Sequence, residues 1–350
     1  MTTRPRIAIG RTLQSLLLTS LVGTIAHAQD VSSFSRTTNP LTSAQQETLE
    51  TFVSNGIRGL RSDSNETVMD ARARMVEPLR RTGTSPVFRE SFGKLFVQGA
   101  RQMLEGPDVV PVFNYANVCQ VLAFIRTGES NEFLASILQP GIVSGPGSAG
   151  EAGRRLSAAS MLAVSIRTTD PERIRPRQFN SIMRSVVMGA EQADSWAVLQ
   201  REFETLESIA SNPEVKEDIR QAAVENQIKV MKATTERIAR GEELSLVRAL
   251  SPMVLTLRSQ YIRLEGSIRR TFNQEVENAL REILAAGASS WKALHEQDEL
   301  ERIYGDTIEQ ATVLMRLING GGNAPSGSDP AAAWRDGDES GYESALKSWS

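Results

Sequence analysis

Seven arginines crowd between positions 154 and 184 of this chain: Arg154, Arg155, Arg167, Arg173, Arg175, Arg177 and Arg184. Only Asp170 and Glu172 offset them. A guanidinium presents a planar fork of donors that matches the oxygens of carboxylates and phosphates. Arg173, Arg175 and Arg177, spaced at every second residue, are therefore candidate anion-binding residues, with an anionic envelope polymer as one ligand. The stretch that follows has the opposite sign. From Glu191 to Glu225 nine acids face three bases, Arg201, Lys216 and Arg220. Such a pair of blocks reads in two ways. One end of the molecule binds a polyanion, or a second copy head to tail. In the plainer reading, neighbouring helices cancel each other's charge through surface ion pairs.

Other chemistry has less to stand on. Paired carboxylates would suit glycoside hydrolysis, but the acids are plentiful and fall on helix positions expected to be polar, Glu202 and Glu207 among them. With 5% aromatic residues the chain has few rings to line a sugar cleft. An enzyme acting on carbohydrate or peptide stays a minor reading, with no catalytic residue to nominate. Cys119, the sole cysteine, sits in the apolar run VCQVLAF and reads as a small buried hydrophobe. His295 is the one histidine beyond the first 28 residues, so histidine-rich and Cys/His metal sites are excluded and no cofactor is implied. Gly145-Pro146-Gly147 lacks the lysine and strand of a phosphate loop. Asp336, Asp338 and Glu339 lack the twelve-residue spacing of a calcium loop. Trp334, Tyr342 and Trp349 are large aromatics in a polar segment, where burial on a partner would be favourable. They are candidate interaction residues of the tail, although folding back onto the chain is the plainer alternative.

The start of the chain bounds where this chemistry operates. Arg4, Arg6 and Arg11 precede an apolar run from Leu13 to Ala26, and Ala26-His27-Ala28 is the pattern a signal peptidase reads. Cleavage is expected between Ala28 and Gln29, after a Sec-type route to the periplasm or the cell exterior. The run is shorter than the ~20 residues of a membrane span, so no span is expected in the mature chain. Removing three arginines and no acid takes the formal net charge from −3 to −6. That balance carries no footprint of nucleic-acid binding.

The elements that must position these residues are helices. Leu49, Phe52, Val53, Ile57 and Leu60 make an apolar stripe at steps of three and four, with Ser43 and Gln46 placed as a capping box. Ser64 opens a second helix, with Pro78 near its end, and Ser85-Pro86 a third carrying Phe88, Phe92 and Phe96. Further helices are expected over 111–126, 131–139, 150–166, 176–192, 195–210 and 213–240. Ser251-Pro252 then starts a long stripe, Val254, Leu257, Tyr261, Leu264, Ile268, Phe272, Val276, Ala279 and Ile283. After the turn AAGASS a second stripe runs from Trp291 to Ile318. No segment alternates as a strand would. The reading is all-α: a signal segment 1–28, a flexible arm 29–42, a helical domain 43–250, a long hairpin 251–319 and a disordered tail 320–350. The hairpin stripes would equally serve a homodimer.

DARARMVEPL at 70–79 and GRRLSAASMLAVSI at 153–166 resemble helices of HEAT and armadillo repeats, in which charged first turns precede an apolar stripe. The resemblance spans about 43–240 at the level of fold, without a fixed period, and an irregular bundle would show the same local patterns. It implies a non-enzymatic scaffold that presents an extended surface to a protein partner, and it transfers no catalytic residue.

Overall fold

The computed structural model describes residues 30–106, 110–139, 148–263, 266–320 and 329–349. The expected signal segment 1–28 with its Ala28–Gln29 junction lies outside them, as do Pro107, Gly145-Pro146-Gly147 and Leu264. The described residues hold helices and turns and no strand.

Helices that alternate along the chain stack into two layers. One contains α3 (Asn65–Arg80), α5 (Val112–Ile125), α7 (Ser148–Thr168), α9 (Trp196–Ala210), α11 (Val247–Tyr261) and α14 (Asp298–Ile318), each packed on the next. The other contains α2 (Ser43–Leu60), α4 (Pro86–Leu104), α6 (Gly128–Ser136), α8 (Pro176–Glu191), α10 (Glu217–Ala239) and α12 (Gly266–Ser289), packed in the same manner. Short connections make successive helices antiparallel across the layers. Every helix buries one stripe between them; α5 is apolar nearly all round because it is enclosed by α3, α4, α6 and α7. In α4 the rings of Phe88, Phe92 and Phe96 follow one another at about 6 Å between centroids, and Phe34 and Phe52 join them.

Local signals fix most boundaries. Ser64 and Ser85 accept from the backbone N–H three residues on, and Pro86 and Pro176 occupy opening positions where a missing N–H is harmless. The first capping box is formed by Thr42 and Gln45, one residue before the expected pair. Asn212-Pro213 forms a turn, and α10 starts at Glu217.

Three expectations need correction. The stripe from Val254 to Ile283 is not one helix: it breaks after Tyr261, and Ser251-Pro252 lies inside α11 rather than at its start. The reason is a change of layer, for α11 packs on α9 and α14 whereas α12 packs on α10. A stripe records that a face is buried and not what covers it. The expected arm contains a short helix, α1 (Asp30–Phe34), with Val31 and Phe34 buried. The tail expected to be disordered holds α15 (Pro330–Arg335) and α16 (Glu339–Trp349), docked on α14 and α12. Among the described residues no helix is long and apolar enough to cross a membrane.

Candidate anion-binding cleft

Helices α4, α6 and α8 lie side by side and present their N-termini to one cleft of about 250 Å³. Pro86, Arg89, Glu90 and Lys94 come from the first turns of α4, and Thr127, Gly128 and Glu129 from the start of α6. Arg173, Arg175 and Gln178 come from the approach to α8 and its first turn. The termini are well built. Ser85 caps α4, and Thr127 and Ser130 cap α6 reciprocally. Gln178 accepts from the Arg175 backbone N–H at 3.0 Å and donates to Glu132 at 2.8 Å, tying α8 to α6. That tie needs Gly128, since a Cβ there would lie 2.2 Å from the Gln178 amide oxygen. Gly128→Val should therefore lower stability by about 1–3 kcal/mol through overpacking. A chemical-denaturation midpoint equal to the parent's would refute this.

The charge in the cleft runs against local preference. A helix N-terminus carries partial positive charge and favours acids, yet Arg89 stands in the opening turn of α4 and Arg175 at the N-cap of α8. Arg89 is 8% exposed. Its guanidinium donates to the carbonyls of Phe124 and Ile125 at 2.8 and 3.3 Å, and to that of Leu79, closing the ends of α5 and α3. Burial, then the neighbouring charges of Arg126 and Arg173, pull its pKa down to about 10. Arg126 is held in the left-handed region at φ 57°, with its Nε buried and without a hydrogen-bond partner. Arg173 has a loose pairing with Asp170 at 3.6 Å. Glu90 and Glu129 are exposed at the rim. Like charges and helix dipoles of one sign thus converge, and an anion entering the cleft would relieve both.

Arg173 and Arg175 of the expected trio line this cleft; Arg177 is exposed and is not part of the lining. The same arginine block contributes Arg154 and Arg155 to the interior instead. Arg154 donates to the Val110 carbonyl at 2.8 Å and lies over the Tyr115 ring. Arg155 donates to the carbonyls of Gly189 and Gln192 at the end of α8 and meets Glu202 at 3.3 Å. This last pair joins the basic block to the acidic one, but it is buried rather than on the surface. Other acids of that block pair with bases outside the arginine block: Glu191 with Lys229, Asp194 with Arg237, and Glu204 with Arg201 of its own stretch. Arg89, Lys94 and Arg126 escaped sequence reasoning because they are divided between α4 and the turn after α5. The readable signal was a base in the opening turn after Ser85-Pro86, where the dipole prefers an acid.

The remaining chemical groups are enclosed. Glu202, expected on a polar face, is 0% exposed, and burial pushes its pKa up to about 8 against the pull of Arg155. A carboxyl so raised resembles a general acid, but no substrate can reach it. Cys119 is fully buried, and burial pushes its thiol up, away from the reactive thiolate. Trp334, Tyr342 and Trp349 are buried against the chain's own helices rather than offered to a partner. Trp334 Nε1 donates to the Glu301 carbonyl at 3.1 Å and Tyr342 Oη to that of Leu284 at 2.8 Å, while Arg316 covers Trp349. Among the described residues no three of His, Cys, Asp and Glu gather to hold a metal ion. Comparison with protein-family models and with curated proteins finds no match.

Proposed function

We propose that this chain is a non-enzymatic binding module, a HEAT-like repeat scaffold exported to the periplasm or cell exterior, and that its partner offers an anionic group to the cleft at α4, α6 and α8. The observation that carries the reading is the convergence of Arg89, Arg173 and Arg175 on three helix N-termini, with the charge of Arg126 close behind Arg89. Alternate helices stacking into two layers support the repeat comparison, since such arrays offer extended surfaces. A purely apolar docking face has weaker support. The large exposed apolar side chains are strung out along the layer from Met69 near the start of α3 to Leu317 near the end of α14, with Ile262 in the turn after α11 and Met188 on α8 in the other layer.

The test is charge reversal. Arg173→Glu combined with Arg175→Glu should weaken binding to inorganic phosphate or to a phosphate-bearing matrix at least tenfold, about 1.4 kcal/mol, without lowering the melting temperature. Binding by the parent should weaken as salt rises. Equal retention of parent and double variant at low salt would remove the cleft from consideration.

A further inference from the structure

We infer that the ligand is a linear polyanion, bearing phosphate- or sulfate-type groups along its length, that crosses from this cleft into a second one over the turn between α5 and α6. The inference rests on the anion reading of the first cleft and adds the polymer and its path.

The second cleft, about 560 Å³, opens between α3 and α5 in the other layer and contains Arg72, Arg80, Arg81, Glu77, Gln120 and Phe124. Its charges are partly engaged: Arg81 pairs with Glu77, and Arg72 donates to Gln120 at 2.7 Å. Arg80 is exposed and lies over the Phe124 ring, 5.8 Å from its centroid. The last residues of α5 form the wall between the clefts. Phe124 turns its ring to the second, while its carbonyl and that of Ile125 accept from Arg89, which lines the first. Arg126 stands on that wall, close enough to depress Arg89, with its Nε buried and unpartnered. Cations thus stand on both sides of this wall: Arg80 over Phe124 in the second cleft, and Arg89, within electrostatic range of Arg126 and Arg173, in the first. Both clefts thus border the end of α5, so a chain with an anion on each unit can meet cations on either side of it. One isolated anion would satisfy a single site and leave the others.

The polymer recognised here has no bases to stack. Single-stranded nucleic acid is held on aromatic platforms, and Phe124, the one ring lining either cleft, already lies under Arg80.

The experiment titrates the full chain with inorganic phosphate, long-chain polyphosphate, a sulfated glycan and single-stranded DNA, across a salt series. Polyphosphate is expected to bind at least a hundredfold more tightly than inorganic phosphate, with a salt slope of about four ionic contacts. Arg80→Glu should weaken polyphosphate at least fivefold and leave inorganic phosphate unchanged. Arg126→Gly should also weaken polyphosphate at least fivefold. It should melt at or above the parent's temperature, because glycine suits the left-handed position that arginine occupies there, so misfolding cannot account for its loss. The sulfated glycan binding in place of polyphosphate would support the path and change the group. Affinity independent of chain length, or indifference to Arg80→Glu, would overturn the polymer path while the first cleft stands. Tighter binding of DNA than of polyphosphate at equal charge would overturn the base-free polymer. Failure of both phosphates to bind would sink the anion reading itself.

Discussion

Arg155→Met is expected to lower the free energy of unfolding by about 3–5 kcal/mol well above pH 8, where the parent's Glu202 is ionised and the variant must either bury that charge unpaired or bind a proton to avoid it. The position joins three helices. From α7, Arg155 donates to the carbonyls of Gly189 and Gln192 at the end of α8 and faces Glu202 of α9. The Glu202 carboxyl is 0% exposed and has one oxygen, Oε2, without a hydrogen-bond partner. Burial outweighs Arg155 and raises its pKa from near 4.5 to about 8. The folded chain therefore holds this proton more tightly than the unfolded chain does. The resulting stability is complete below pH 4.5 and is lost as pH rises through about 8. Two consequences separate this account from simple loss of packing. The penalty of Arg155→Met should shrink toward pH 5, where the carboxyl is protonated and only the bonds to the α8 carbonyls are missing. Glu202→Gln should flatten the decline in stability between pH 5 and 8 that the parent shows. Denaturant titrations at three pH values check both; a pH-independent penalty would refute the role assigned to Glu202.

Trp334→Ala should cost about 3–5 kcal/mol and free α15 and α16 from the body. Trp334 is 1% exposed and sits at the centre of a ring cluster. Trp291, His295, Tyr304 and Tyr342 lie 4.7, 4.5, 5.3 and 5.5 Å from it between centroids. Its indole N–H also closes onto the Glu301 carbonyl. The cluster has no slack on its inner side, since a Cβ at Gly287 would come within 2.7 Å of Tyr342 Oη and 2.8 Å of the Tyr304 ring. Gly287→Val should therefore reproduce the defect from the opposite wall. The measurement is protease cleavage within residues 330–349 alongside thermal unfolding. Parent-like protection in Trp334→Ala would show that other contacts hold these helices.

Helix identity was legible because it is written locally. The serine caps at 64 and 85, the prolines after 85 and 175, and the stripe Leu49-Val53-Ile57-Leu60 each need only a few neighbouring residues to be read. What escaped depends on partners far along the chain. Phe272 and Leu257 share a stripe in sequence but belong to different layers, and nothing within either segment records that division. The aromatics at 334, 342 and 349 read as solvated because the rings and carbonyls that receive them begin near Leu284. The arginine block split for the same reason: a guanidinium facing a buried carbonyl and one facing solvent look alike in sequence. Arg154 and Arg155 proved internal, whereas Arg173 and Arg175 reached the cleft.

The two-layer stacking bears on how the chain assembles. Each helix of the array makes its main contacts with the next one or two helices, so its partners are already made, or are the next to be made, as synthesis proceeds. Contacts this local favour rapid folding, and they let the array grow from its N-terminal end without waiting for the C-terminus. Arriving after the array, α15 and α16 close over α12 and α14 and cover the aromatic face that would otherwise stay open there. A chain truncated before residue 330 should then be an array arrested one step short of completion: folded along most of its length, and prone to self-association at the uncovered end.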